Sequence, residues 1–302
     1  MPEGLLGIEE LDRAQIESIL SRARDFQSIQ SQPSKKLDAL RGKMIVNLFY
    51  EASTRTRTSF EIAAKRMGAD AVSITASGSS VTKGESLVDT LNTLAAMRPD
   101  AIVMRHSASG APHFLSRYLE TPIINAGDGT HEHPTQALLD ARTILDRRAT
   151  LEGLRVAIIG DIAHSRVARS NVHLLSKFGT EIVLCGPASL LPVELAQLAP
   201  GVRLTTDITE AIRDCDVIMM LRVQLERQHE AAFPASEYFR FYGLRLEHLD
   251  LAKPEAIVMH PGPINRGREL SSEVADFQRS VILNQVENGI AVRMAVLEKV
   301  VG

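Results

Sequence analysis

Nine short runs of β-branched and apolar residues alternate with helical patterns, and this alternation constrains the fold more than any other feature of the sequence. It is typical of parallel sheets whose strands are joined by crossover helices. Several runs are apolar at consecutive positions, as expected of strands that are covered on both faces. The sequence therefore predicts an α/β fold with two doubly wound parallel-sheet domains and helices on both faces. The predicted strands are Met44–Phe49, Ala71–Thr75, Ala101–Met104, Pro122–Ala126, Val156–Ile159, Glu181–Leu184, Val202–Thr205, Val217–Leu221 and Ala256–Met259.

The length of 302 residues suggests about two domains, at roughly 150 residues each. A longer helical pattern from His133 to about Arg148 separates the fourth predicted strand from the fifth. We place the boundary after it, which predicts a first domain over residues 1–148 and a second over 149–279. The segment 280–302 has one apolar helical face, so we expect it to pack back on the first domain.

Composition excludes several classes of protein. The chain has 34 Lys and Arg against 37 Asp and Glu, a formal charge of −3, which argues against a nucleic-acid or anionic-membrane partner. The apolar runs are far shorter than the roughly 18 residues of a membrane span, and the N-terminus lacks the pattern of a secretory signal. Only Cys185 and Cys215 are present, too few for a disulfide framework, so we expect a cytoplasmic protein.

Polar segments follow six of the nine predicted strands. Ligands of open parallel sheets bind beyond the carboxyl ends of the strands, so this concentration predicts a binding site there. The segments are Ser53–Arg57, Arg105–His106, Gly127–Gln136, Gly160–Arg166, Arg222–Gln224 and His260–Pro263.

In the first domain, Ser53 or Thr54 can cap a helix whose free N–H groups and positive dipole end form an anion pocket. Arg55 in its first turn opposes the dipole, which makes sense if a phosphate is bound; the alternative is an ordinary capped helix with solvated arginines. Pro134 suits a first helical position, with His133 at the cap and Gln136 facing the same pocket. A metal held by His131 and His133 would lack a clear third and fourth ligand, so we predict no metal.

The second domain begins like a dinucleotide site at Gly160, but the further glycines of that motif are missing, so we predict no nucleotide cofactor. Arg166 and Arg222 form a cationic pair that suits carboxylates. The turn at 260–263 contains two prolines, which have no N–H, so it offers carbonyl acceptors for an NH₂ group. The loop that carries Lys83 does not have the order of a P-loop.

Together, these segments resemble the catalytic chains of the aspartate transcarbamoylase family, in order and over nearly the full chain. The ornithine enzymes share the motifs at 53–57 and 133–136. The His-Cys-Leu-Pro and Ser-Met-Gly motifs expected of the ornithine enzymes are absent from this sequence. The motifs that carry the resemblance are Ser-Thr-Arg-Thr-Arg at 53–57, the Lys83 loop, Met-Arg-His at 104–106, His-Pro-Thr-Gln at 133–136, Arg166, Leu-Arg-Val-Gln at 221–224 and His-Pro-Gly-Pro at 260–263.

The resemblance implies transfer of the carbamoyl group of carbamoyl phosphate to L-aspartate, a step of pyrimidine biosynthesis, with no cofactor. Its donor site would comprise Ser53, Thr54, Arg55 and Thr56 on the phosphate, Arg105, Thr56 and His133 on the carbonyl oxygen, and Gln136 with the carbonyls of Gly262 and Pro263 on the amino group. Its acceptor site would comprise Arg166, Arg222 and Gln224, with Ser79 or the adjacent Ser80 and Lys83 from a neighbouring subunit. The resemblance thus implies a homotrimer with shared active sites, and leaves a regulatory-subunit or dihydroorotase partner open.

Two other interpretations stay open at this point. A carbamoyltransferase for another amino acid or a diamine would share the donor site, although a cationic acceptor would favour acidic residues at Arg166 and Arg222. A non-catalytic scaffold homologue would have no need for so many clustered cations, which repel one another.

Overall fold

The computed structural model describes residues 4–30, 32, 34–75, 86–223 and 235–302. The described chain forms two compact units. The first comprises the residues up to Arg142 together with Glu287–Gly302, and the second comprises Thr143–Val286. The domain boundaries placed after residues 148 and 279 from the sequence stay predictions.

The first unit contains a four-stranded parallel sheet in the order β2-β1-β3-β4. Its interior strands are apolar and buried, and Leu48, Ile102 and Met104 lie in one core cluster with side chains of the helix from Leu87. The strands are β1 Met44–Phe49, β2 Asp70–Thr75, β3 Ala101–His106 and β4 Ile123–Asp128. The helices are α1 Arg13–Gln30, α2 Thr54–Arg66, α3 Leu87–Ala96, α4 Ala111–Ser116 and α5 Pro134–Leu145, the last of which runs into the second unit.

The second unit contains a five-stranded parallel sheet in the order β7-β6-β5-β8-β9. Ala157, Ile159, Ile218 and Met220 pack in its core. The strands are β5 Arg155–Ile159, β6 Glu181–Cys185, β7 Arg203–Thr205, β8 Val217–Met220 and β9 Ile257–Met259. The helices are α6 Arg166–Ser176, α7 Ile208–Ile212, α8 Ala235–Tyr242, α9 Leu246–Leu249 and α10 Ser272–Ala275. The last helix, α11 Ile282–Val301, begins in this unit and belongs to the first unit from Glu287 onward.

The predicted fold class is confirmed, and all nine predicted strands are present in the described chain. The main differences lie at polar strand ends: β3 continues through Arg105 and His106, and β4 continues to Asp128. These residues remain in the hydrogen-bonded ladder although the apolar pattern has ended. Among the helices that the structure describes, none is both long enough and apolar enough to cross a bilayer.

Candidate active site

The switch point of the first sheet lies between β1 and β3, because the chain proceeds from β1 to one side and places β3 on the other. Phe49 at the end of β1 pairs with Arg105, and the Tyr50 N–H donates to the Arg105 carbonyl at 2.9 Å. The Ser53–Thr56 segment follows β1 directly. The fold thus brings this segment and Arg105 to neighbouring strand ends, at the position where open α/β sheets bind ligands.

The N-terminus of α2 is suited to an anion. Ser53 is its N-cap residue in an extended conformation, but its side chain makes no capping hydrogen bond, and the first turn holds no acidic residue. The helix dipole therefore has no acidic side chain to balance it in that turn. Thr56 is buried and Arg55 is exposed. Of the two capping candidates from the sequence, Ser53 occupies the N-cap position, although its hydroxyl makes no capping hydrogen bond, and Thr54 is the first helical residue.

Arg105 is held by two acceptors. Its Nη1 donates to the Ala126 carbonyl at 3.3 Å, and its Nη2 donates to the Glu51 carboxylate at 3.2 Å. The Arg105 side chain is 12% exposed, so this ion pair lies largely out of water. Sequence reasoning missed Glu51, although its position two residues before the Ser53 motif was a usable signal.

The loop from β4 to α5 carries the next two predicted site residues. Pro134 is the first residue of α5, as predicted, and the Gln136 N–H donates to the carbonyl of the buried His133 at 2.9 Å. The Gln136 side chain donates through Nε2 to the Asp140 carboxylate at 2.9 Å. Asp140 is a further residue that sequence reasoning missed, although it lies one helical turn after Gln136.

The second sheet repeats this arrangement at its own switch point, between β5 and β8. The Leu221 N–H donates to the Ile159 carbonyl at 2.8 Å, so the segments after both strands start side by side. Arg166 is buried and begins α6, which Ser165 caps by accepting from the Ala168 N–H at 3.1 Å. Arg222 follows β8 and is half-buried. Both predicted acceptor-site arginines therefore lie at the carboxyl edge of one sheet.

The turn after β9 is stabilised by hydrogen bonds to His260 and Glu269 within the second unit. His260 accepts through Nδ1 from the Gly262 N–H at 2.8 Å, and Gly262 has a φ of +63°, which favours glycine. The buried Glu269 carboxylate accepts from the N–H groups of Val223 at 3.1 Å and Asn265 at 2.8 Å, and from the Asn265 side chain at 2.7 Å. Glu269, also missed from the sequence, thus joins the segment after β8 to the turn after β9.

One group of side chains in the described chain has metal-ligand chemistry: His113, Asp128 and His131 place ligand atoms within 4.8 Å of one another. Asp128, however, already accepts two hydrogen bonds at each oxygen, from Asn125 and the Glu132 N–H at Oδ1 and from the Gly110 N–H and His131 at Oδ2. Burial raises the pKa of Asp128, but these donors outweigh it and hold the pKa below its usual range. The hydrogen bond to Asp128 raises the pKa of His131. The Asp128 carboxylate of this group is thus fully engaged by hydrogen-bond donors of the protein.

Four predicted residues lie outside the described part of the chain: Ser79, the adjacent candidate Ser80, Lys83 and Gln224. Their predicted roles in acceptor binding stay predictions.

The fold and these residues define a class of protein: an α/β chain of two parallel-sheet units, each with arginine residues at or after the ends of the strands of its switch point. Residues 4–146 match the carbamoyl-phosphate-binding domain of aspartate/ornithine carbamoyltransferases, and residues 152–300 match their aspartate/ornithine-binding domain. The chain belongs to the aspartate/ornithine carbamoyltransferase family, which confirms the resemblance seen in the sequence.

Comparison with individual relatives supports the same family assignment. The chain is 89% identical to the aspartate carbamoyltransferase catalytic subunit of Solibacter usitatus, over the full length of both chains. The aspartate transcarbamoylase of Trypanosoma cruzi, solved with aspartate and phosphate, has a TM-score of 0.89 at 32% identity and covers 100% of this chain and 97% of its own. The ornithine carbamoyltransferase of Pyrococcus furiosus has a TM-score of 0.90 at 30% identity, with the same coverage. The backbone fold is therefore common to enzymes named for two different acceptors.

Proposed function

We propose that the chain transfers the carbamoyl group of carbamoyl phosphate to the amine of L-aspartate, giving N-carbamoyl-L-aspartate and phosphate, the reaction after which its close relatives are named. The observation that carries the proposal is the pair of switch points: Arg105 and the N-terminus of α2 lie at the ends of neighbouring strands of the first sheet, and Arg166 and Arg222 lie after neighbouring strands of the second. The first suits a phosphorylated donor, and the second suits the carboxylates of a dicarboxylic acceptor.

The donor site is proposed to work by positioning. Ser53, Thr54 and Arg55 hold the phosphate, and Arg105, Thr56 and His133 contact the carbonyl oxygen. Burial of Thr56 and His133 supports this role, because hydrogen bonds to a developing oxyanion are stronger where water is excluded. Gln136 and the carbonyls of Gly262 and Pro263 accept from the amino group.

In the reaction, the aspartate amine attacks the carbamoyl carbon, the new C–N bond forms, and the bond from that carbon to the phosphate oxygen breaks. We assign no protein base: the departing phosphate takes the amine proton, and the protein supplies orientation and electrostatic stabilisation. Arg166, Arg222 and Gln224 hold the acceptor carboxylates. A neighbouring subunit contributes Ser79, or Ser80, and Lys83, so the functional unit is a homotrimer.

The word "subunit" in the names of the relatives supports further assembly, and we propose that a regulatory or dihydroorotase chain is the partner. We also propose a cytoplasmic location, since both cysteines are free thiols buried in the second unit. Light scattering of the purified chain tests the trimer: a monomer that is fully active would contradict the shared site.

The activity test incubates the purified protein with carbamoyl phosphate and, in separate reactions, L-aspartate, L-ornithine and putrescine. We expect carbamoylated product and phosphate in equal amounts with aspartate alone. Transfer to ornithine or putrescine would contradict aspartate as the acceptor but would still support carbamoyl phosphate as the donor. Absence of transfer to all three acceptors would support the scaffold alternative.

A further inference from the structure

The side chain of Gln136 is held by a buried carboxylate that the proposed chemistry does not use. Gln136 and Asp140 lie one turn apart on α5, and both are buried. The Gln136 Nε2 donates to Asp140 Oδ1 at 2.9 Å. A carboxylate can only accept hydrogen bonds, so the nitrogen of the Gln136 amide must face Asp140 and its oxygen must face away.

Asp140 has its counter-charge on α11. Arg293 is buried, and burial lowers its pKa to about 10, with Asp140 acting in the opposite direction, so Arg293 remains cationic at neutral pH. The Arg293 guanidinium also donates through Nη1 to the Gly289 carbonyl at 2.9 Å and lies 5.2 Å from the centre of the Phe60 ring. A cation whose charge acts on a buried carboxylate favours the ionised form of that carboxylate.

Gly289, one turn before Arg293 on α11, provides the space that the Arg293 guanidinium occupies. Glycine in a helix interior costs roughly 1 kcal/mol relative to alanine. Here a Cβ at position 289 would lie 2.6 Å from Arg293 Nη1 and 3.3 Å from a methyl carbon of Leu139. The glycine therefore leaves space for the guanidinium of Arg293 and for the side chain of Leu139 on α5.

We propose that Asp140 is a positioning residue: it fixes the Gln136 amide so that the side-chain oxygen, an acceptor, faces the ligand and selects a donor substrate with an amino group. The inference rests on the proposed function for the identity of that substrate, carbamoyl phosphate. It predicts discrimination against acyl phosphates that carry a methyl group in place of the amine, because such a ligand leaves the Gln136 oxygen without a partner.

The test compares two stable ligands that differ only at that group. Phosphonoacetamide carries the amine, and acetonylphosphonate carries a methyl group in its place. Calorimetric titration of the full chain measures both without turnover. We expect the wild-type protein to bind the amide more tightly. In the Asp140→Asn variant the new amide can donate to Gln136 and turn it, so we expect the affinity for phosphonoacetamide to fall about tenfold and that for acetonylphosphonate to change less than about twofold.

The ratio of the two affinities is measured on one sample, so partial unfolding of the variant cancels. The matched control is Asp146→Asn, an exposed aspartate just after α5, which should leave both affinities unchanged. Equal weakening of both ligands by Asp140→Asn would show a merely structural role and overturn the inference. An unchanged amide affinity, or a wild-type protein that does not distinguish the two ligands, would also overturn it. Absence of carbamoyl transfer in the separate activity test would instead refute the proposed function.

Discussion

Glu269→Gln is expected to weaken both the second unit and the acceptor site. The buried carboxylate accepts three hydrogen bonds, two at Oε1 and one at Oε2, at distances of 2.7–3.1 Å. Glutamine has nearly the same shape but only one accepting oxygen. If that oxygen takes the place of Oε1, the new NH₂ group meets the Asn265 N–H donor; the opposite orientation loses two bonds.

At least one buried donor therefore loses its acceptor, which costs about 1–3 kcal/mol. At about 2–4 °C per kcal/mol for a unit of this size, the melting temperature should fall by roughly 2–12 °C. Because Val223 adjoins Arg222, kcat/KM for aspartate should also fall, by about tenfold for ~1.4 kcal/mol. Scanning calorimetry and steady-state kinetics measure the two effects. Glu255→Gln, an exposed site in the same unit, is the control. Wild-type melting and wild-type kcat/KM in Glu269→Gln would refute the assignment of Glu269 as the link between the two loops.

Three further outcomes are expected. His133→Ala should lower kcat by about 10²- to 10³-fold, as typical for loss of one oxyanion donor, and undiminished turnover of the purified variant would contradict its role. Inorganic phosphate should inhibit competitively against carbamoyl phosphate, because both are proposed to bind at the N-terminus of α2, which has no acidic residue in its first turn. Noncompetitive kinetics would argue against a shared site. Asp128 raises the pKa of His131 above 6.5, so their pair stabilises the fold fully below about pH 6.5, and this stability is lost as the pH rises through the raised pKa. His131→Asn should consequently lower the melting temperature more at about pH 5.5 than at about pH 9, and an equal loss at both values would show that the charge of His131 contributes nothing.

Most of the strands could be predicted because burial on both faces leaves a run that is apolar at nearly every position. Met44–Phe49 has the same bounds in the prediction and in the structure. The ends that were missed, at His106 and Asp128, are polar residues kept in the ladder by backbone hydrogen bonds and by contacts with distant residues. Contacts between residues that are distant in the sequence cannot be predicted from a local pattern of apolar residues.

The candidate site residues were proposed for a related reason: in a parallel sheet, ligand-binding residues concentrate where strands end. Arg105 and His133 follow predicted strands in this way, and their roles stay predictions. The carboxylates that hold the site could not all be found in this way. Asp140 follows Gln136 by four residues, a spacing that faces two side chains on a helix, so periodicity could have found it. Glu269 lies 46 residues beyond Val223, and only the folded chain shows that they meet.

The held arginines also explain how a chain of net charge −3 can carry sites for two anionic substrates. Clustered cations repel one another strongly where water is excluded, so an arginine without a counter-charge would weaken the unliganded protein. The first unit places Glu51 against Arg105 and Asp140 near Arg293. The N-terminus of α2, by contrast, keeps its first turn free of acidic residues. A carboxylate thus pairs with Arg105, whereas the helix end proposed to receive the phosphate has no acidic residue in its first turn, so the local potential is set by the placement of charges and not by the overall charge.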